Sequence, residues 1–254
     1  MSNLEESFIT YLHENREYPV ENDFNAYQMG KNILVVEIWN FDYLAALRFQ
    51  KLAQDYVSWN RDKRIYIFTS HPRVFTVGRG LVKGKSTTGT ELREFNESLV
   101  SRLKFPVHRI KRGGGITFHY PGQWIFYPIV NLNHPDNNLK DLIHFMLDSA
   151  KKVVSDRYGL TEIDTRRKQI GMWKGNYKLA SLGIGLEKFV TYHGMALNVS
   201  YDELMWKELG KINPCGFPSS TYRCLEDFIG GEKKDIMLEF HEYFIYHMRK
   251  TVFV

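Results

Sequence analysis

Two residues of this chain carry side chains suited to covalent acyl chemistry, and each stands in a marked local setting. Cys215 lies in Ile212-Asn213-Pro214-Cys215-Gly216, and Lys178 opens Lys178-Leu179-Ala180-Ser181-Leu182-Gly183. A thiol attacks a carbonyl as its thiolate, and a neighbouring ammonium lowers its pKa by stabilising that anion. Proline before Cys215 and glycine after it favour a sharply turned, exposed backbone that presents the sulfur. By type alone, a free cysteine is more often a small buried hydrophobe, and a lysine at a strand start is more often a surface charge. Sequence spacing does not bring the two together. Cys224 has no comparable setting and reads as packing.

Two further stretches have ligand-binding character. Arg112-Gly113-Gly114-Gly115-Ile116-Thr117-Phe118-His119-Tyr120-Pro121-Gly122-Gln123 lets the main chain approach a ligand closely. It is not a phosphate loop, because neither Gly-x-Gly-x-x-Gly nor a following Gly-Lys-Ser/Thr is present. Thr191-Tyr192-His193-Gly194-Met195-Ala196-Leu197-Asn198 is the second stretch. His119 and His193 fit either core histidines or metal ligands, but their neighbours do not form a zinc pattern, and no metal is expected.

The elements that must hold these residues are legible in outline. Residues 33–38 read as a buried strand, followed by Ala45, Phe49, Leu52, Ala53 and Tyr56 on one helical face. Residues 64–68 form a second strand, then residues 71–79 a strand–turn–strand connection with a loop after Arg79. The Gly113-Gly114-Gly115 loop precedes a strand over residues 124–130. Leu139, Leu142, Ile143, Met146, Ala150, Val153 and Val154 make a helical stripe that Gly159 caps. Residues 170–199 read as strands with turns at Gly175-Asn176 and Glu187-Lys188, and Ile236, Phe240, Phe244 and Met248 as a closing helix. The expectation is one mixed α/β domain, a mixed β-sheet flanked by helices. Residues 1–30 form a segment of unknown role, residues 31–230 the catalytic domain, and residues 231–254 a C-terminal helix on the same domain.

Composition narrows the class. A hydrophobic share of 43% and a charged share of 25% suit a globular protein with a substantial core. No run of about eighteen apolar residues offers a membrane span. The first residues are acid-rich and lack an apolar stretch, against a transit peptide or secretory signal. Two cysteines in 254 residues do not make a disulfide framework, so the expected setting is a reducing cytoplasm. The net charge of +5 is spread along the chain, with its densest groups at Arg166-Arg167-Lys168 and Lys233-Lys234, so no nucleic-acid partner is expected. A basic rim would steer an acidic carrier protein toward the chain.

Taken in order, the four motifs resemble the octanoyltransferases of lipoate biosynthesis, over about residues 31 to 228. The resemblance implies the catalytic fold of the biotin and lipoate protein ligases. It implies that Cys215 and Lys178 form a catalytic dyad. Arg112, Gly113, Gly114, Gly115, Ile116, Thr117, Phe118 and His119, with Ser181, Leu182 and Gly183 and with Gly194, Met195 and Ala196, would bind the acyl group. The family usually has glycine where Tyr120 stands and glutamine or glutamate where Gly115 stands, and Tyr120 bears on the acyl chain length that fits.

The activity so implied is transfer of an octanoyl group from acyl carrier protein to the target lysine of lipoyl domains and of glycine cleavage H protein. A Cys215 thioester would be the intermediate, and Lys178 would exchange protons in both halves. The substrate arrives on the carrier's phosphopantetheine, already activated, so no cofactor and no ATP are expected. The rivals are an ATP-dependent lipoate- or biotin-type ligase, an amidotransferase between lipoyl proteins, and a non-catalytic carrier-binding module. Pro214-Cys215-Gly216 argues against the ligase, which needs no nucleophilic thiol.

Overall fold

The computed structural model describes residues 3–15, 24–79, 100–165, 170–212, 217–230 and 235–252. Eleven strands among them form two sheets. The main sheet takes β1 (Asn25–Met29), β2 (Ile33–Ile38), β3 (Arg64–Thr69), β7 (Gln123–Val130), β8 (Ile163–Thr165), β9 (Gly171–Lys174), β10 (Tyr177–Glu187) and β11 (Val190–Asn198). Its spatial order is β1-β2-β3-β7-β11-β10-β9-β8. Within this sheet β2 and β3 are the parallel pair, joined by α2 (Tyr43–Trp59), which is the helical crossover a parallel pair requires. The smaller sheet, ordered β5-β4-β6, comprises β4 (Val74–Val77), β5 (Val107–Arg109) and β6 (Ile116–His119).

Central strand β7 shows why the sheet lies between two layers. Every residue from Gln123 to Val130 is buried, so both faces must be covered. Trp124 and Phe126 pack under α3 (Leu139–Tyr158) and α5 (Ile236–Val252) with Met146, Phe240 and Phe244. Ile125, Tyr127 and Ile129 face α2 on the other side. Helix α3 starts at the Asn138 cap, whose side chain accepts from Asp141 N at 2.8 Å, and ends at left-handed Gly159.

Helix α1 (Leu4–Glu14) adds an outer layer on α2. Asn3 and Glu6 form a capping box, and Leu4, Phe8 and Leu12, spaced four apart, bury one stripe. Phe8 meets Phe49 and Tyr56 of α2 edge-on, at 6.0 and 5.2 Å between centroids. The small sheet and short helix α4 (Met205–Leu209) enclose a third core around Phe75, Phe118, Tyr120 and Cys224. No helix among the described residues is long and apolar enough to cross a membrane.

Candidate active site

Lys178 is a buried residue, 4% exposed, not the surface lysine that a strand start suggests. Its Nζ stands 5.5 Å from the Trp173 ring centre and 5.6 Å from that of Phe217, within cation–π range of both. Three local features place it there. The β9–β10 pairing shifts register between Lys178 and Ala180, which turns the lysine off the regular alternation. A parallel bridge to Tyr222, and Arg223 N donating to Lys178 O at 3.2 Å, clamp the main chain. Gly171 leaves room for the stem, since a Cβ there would stand 2.2 Å from Ala180 O and 3.0 Å from Lys178 Cε.

Cys215 lies outside the described residues. Phe217, two positions further along the chain, is described: its ring meets Trp173 at 5.4 Å and 74° and shares the lysine with it. Cys224 is buried beside Tyr120 and Met205, and burial pushes its thiol up to about 12, so it stays a protonated packing group.

The glycine loop is organised by Arg112, which is 7% exposed. Its Nη2 donates to Thr76 O at 3.1 Å, Thr76 Oγ1 at 2.7 Å and Thr117 Oγ1 at 2.8 Å, and Nη1 donates to Gly113 O at 2.9 Å. The guanidinium thus binds β4, β6 and its own loop into one unit. Gly113 N donates to Ile184 O at 3.2 Å, which seats the loop on β10. Gly183 permits that contact, because a Cβ there would be 2.9 Å from Gly113 O.

From Arg112 a hydrogen-bonded chain runs across the site. Thr76 Oγ1 accepts from Arg112 and donates to His119 Nε2 at 3.2 Å. His119 Nδ1 donates to Gln123 Oε1 at 2.7 Å, and Gln123 Nε2 donates to Asn198 Oδ1 at 2.9 Å. Asn198 Nδ2 reaches Arg223 O at 3.4 Å, one residue from the bridge that holds Lys178. Each member can satisfy its neighbour in one direction only, which fixes the His119 tautomer.

Three histidines stay neutral here. Burial pushes His71 down to about 4, and burial with the charge of Arg112 pushes His193 down to about 3. Burial, with the charge of Arg112, holds His119 well below the usual histidine range. His193 also has φ 55° within a strand, which lays its ring against Tyr127 and Tyr192 on the α2 face. Its N–H goes to Gln50 Oε1 at 2.7 Å, and its buried Nε2 has no partner among the described residues. Such backbone strain persists only where the surroundings over-determine it. Among the described residues no cluster of histidine, cysteine, aspartate or glutamate could hold a metal ion.

The expected acyl-contacting residues divide between two faces. Ile116, Thr117, Phe118 and Ser181 line a cavity of about 20 Å³ that reaches Gln123, Asn198 and Tyr222. Gly183 and Ala196 lie on the same face. Leu182 and Met195 do not: their side chains join the core under α3 and α5, so only their main chain faces the site. Gly194 serves strand packing, since a Cβ there would meet Phe126 O at 2.1 Å. Phe118 is buried between the small sheet and α4, and Ile116 is its neighbour there.

Sequence reading passed over Thr76, Gln123, Asn198, Trp173, Phe217 and Tyr222. Gln123 and Asn198 ended the two motifs and carried no distinct signal. Gly171 was the local clue to a buried lysine.

The Lipoyl protein ligase A/B catalytic domain family matches residues 42–248. An octanoyltransferase of Bdellovibrio bacteriovorus is 32% identical over 215 residues, covering 78% of this chain and 90% of that one. One of Geotalea uraniireducens is 30% identical over 206 residues, covering 81% and 86%. Among solved structures, lipoate-protein ligase A bound with ATP superimposes with a TM-score of 0.57 at 15% identity, covering 87% of this chain and 85% of that one. The bipartite lipoate protein ligase of Thermoplasma acidophilum, studied with its E2 lipoyl domain, gives 0.56 at 16% identity, covering 89% and 84%. At these identities the structures establish the shared fold.

Proposed function

Because the chain belongs to the lipoyl protein ligase A/B catalytic-domain family, and within it to the octanoyltransferases, we propose that it moves octanoyl from acyl carrier protein to the target lysine of lipoyl domains, glycine cleavage H protein included. The Cys215 thiolate attacks the carbonyl of the phosphopantetheine thioester. The tetrahedral adduct collapses, the C–S bond to pantetheine breaks, and the departing thiolate takes a proton from the Lys178 ammonium. The acceptor lysine amine then attacks the octanoyl-S-Cys215 thioester and gives up a proton to Lys178. An amide forms, and the Cys215 thiolate leaves restored.

One observation carries this reading: the Lys178 ammonium is buried against Trp173 and Phe217, and Phe217 stands two residues from Cys215 in the chain. A cation kept in an apolar wall interacts strongly with an anion that forms beside it. The thioester supplies the activation, so the reaction uses neither ATP nor a metal. Two cysteines in 254 residues suit the reducing cytoplasm in which Cys215 stays a thiol.

The test supplies octanoyl-acyl carrier protein and unmodified lipoyl domain without ATP, beside free octanoate with ATP. Octanoylated lipoyl domain in the first mixture, lost on Cys215→Ala, is the expected result. ATP-dependent modification by free octanoate that survives Cys215→Ala would replace transfer with ligation.

A further inference from the structure

Two segments that are fastened without help from the Lys178 side chain build the place where its ammonium sits. Trp173 is 1% exposed on β9 and stands directly across from Lys178 in the β9–β10 pairing. Phe217 is half-buried, its ring resting against the core of the small sheet. The residues after it are held by contacts of their own. Ser219–Thr221 make a tight turn, and the Arg223 guanidinium stacks on Tyr177 at 4.7 Å and on Trp206 at 5.1 Å. Its Nη1 donates to Ser220 O at 3.1 Å and to Tyr222 O at 2.8 Å. The Trp173 and Phe217 rings meet edge to face at 5.4 Å and 74°, so their planes form a corner. Lys178 Nζ occupies that corner, 5.5 and 5.6 Å from the two ring centres.

We propose that Trp173 and Phe217 are positioning residues of the transfer reaction, a preformed aromatic seat that holds the Lys178 ammonium in one place with its charge intact. Taking an ammonium out of water costs free energy unless something receives its charge, and ring faces receive it. They do so without bringing a negative charge of their own. A carboxylate in the same corner would hold the lysine as firmly, but it would cancel the field that an adjacent thiolate needs. The rings act through the lysine alone and touch no reacting atom.

This inference rests on the transfer reading, whose Cys215–Lys178 pair it supports, but its test needs no acyl donor. Alkylation of Cys215 by iodoacetamide at pH 7, localised by peptide mass, reports the thiolate. Phe217→Leu and Trp173→Leu keep an apolar side chain and remove the ring face, and each slows alkylation about fivefold. Phe217→Tyr and Trp173→Phe keep a face and stay within about twofold of the wild type. In a Lys178→Ala background the leucine changes add nothing, because a residue that acts through the lysine has no effect without it. A purely structural role would slow alkylation by the same factor in both backgrounds. The seat is overturned by a folded leucine variant that alkylates at the wild-type rate, by an aromatic variant as slow as its leucine counterpart, or by an equal further loss without Lys178. Should Trp173→Leu not fold, half-buried Phe217 carries the same test. A wild-type enzyme that alkylates at Cys215 yet takes no octanoyl from acyl carrier protein overturns the transfer reading instead.

Discussion

Two polar chains, one part-buried and one mostly buried, cross this molecule on opposite faces of the main sheet, and they are built differently. Under α5, Tyr27 donates to Glu37 Oε1 at 2.7 Å, His241 meets the same oxygen at 2.9 Å, and Trp124 Nε1 donates to His241 Nδ1 at 3.2 Å. Burial raises the Glu37 carboxyl, but hydrogen bonds from His241 and Tyr27 outweigh it and hold the pKa below its ordinary value. That chain runs from Tyr27 through Glu37 and His241 to Trp124, with a carboxylate in its middle and aromatic core at its inner end. The chain from Arg112 through Thr76, His119 and Gln123 to Asn198 runs along a cavity and ends where Lys178 is held. The first pins helix to sheet. The second keeps neutral acceptors and a fixed cation around a space.

The sharpest way to break this distinction is Arg112→Ala. It leaves Thr76, Thr117 and Gly113 without their donor and frees the loop, so kcat/KM falls by about 10²- to 10³-fold. Arg112→Lys recovers little, because one ammonium cannot span three partners in a plane. Steady-state kinetics with octanoyl-acyl carrier protein check both variants.

Acid comes next. His71 and His193 have folded pKa values lowered to about 4 and about 3, below the unfolded value near 6.5. In that window the unfolded chain binds more protons, so stability is full above pH 6.5 and is lost as pH falls toward 4 and 3. Each histidine contributes up to about 1.4 kcal/mol per pH unit. Denaturant titrations at pH 7 and pH 5.5 should show the loss, and His193→Asn should flatten it. An identical slope in the variant would contradict a neutral, buried His193.

Glu37→Gln sharpens the comparison from the other side. Removing the charged acceptor costs about 2 kcal/mol of stability, yet kcat/KM stays within about twofold, read from urea midpoints and kinetics on one preparation. The smallest effect belongs to Cys224→Ala, a loss of about 1 kcal/mol or less with transfer retained; a dead enzyme would give Cys224 a role that its raised pKa argues against.

What the sequence made legible follows from the physics of each element. Strand β2, helix α3 with its Gly159 cap and helix α5 carry strong periodicity over many residues, and they occur where expected. Strand β4 lies within the strand–turn–strand read over residues 71–79, but β5 and β6, three and four residues long, are too short for alternation to stand out, so the separate small sheet does not show in the sequence. Helix α1 had signals that could have been used, Asn3 with Glu6 and the Leu4, Phe8, Leu12 stripe. In the site, the motif runs named the right stretches, but period two divides them: Ser181 and Gly183 face the loop, while Leu182 and Met195 go to the opposite core. His193 breaks that period through its positive φ, which no residue type announces. Thr76 lies 36 positions from Arg112 and meets it only through the fold.

The central claim is that Cys215, assisted by the buried Lys178, accepts the acyl group. Its most direct test mixes the protein with octanoyl-acyl carrier protein, without acceptor or ATP, and records the intact mass of wild type, Cys215→Ser and Cys224→Ser. The account predicts a hydroxylamine-labile octanoyl adduct on wild type and Cys224→Ser and none on Cys215→Ser. An adduct that persists on Cys215→Ser, or no adduct on a wild-type enzyme that still modifies lipoyl domains, would contradict it.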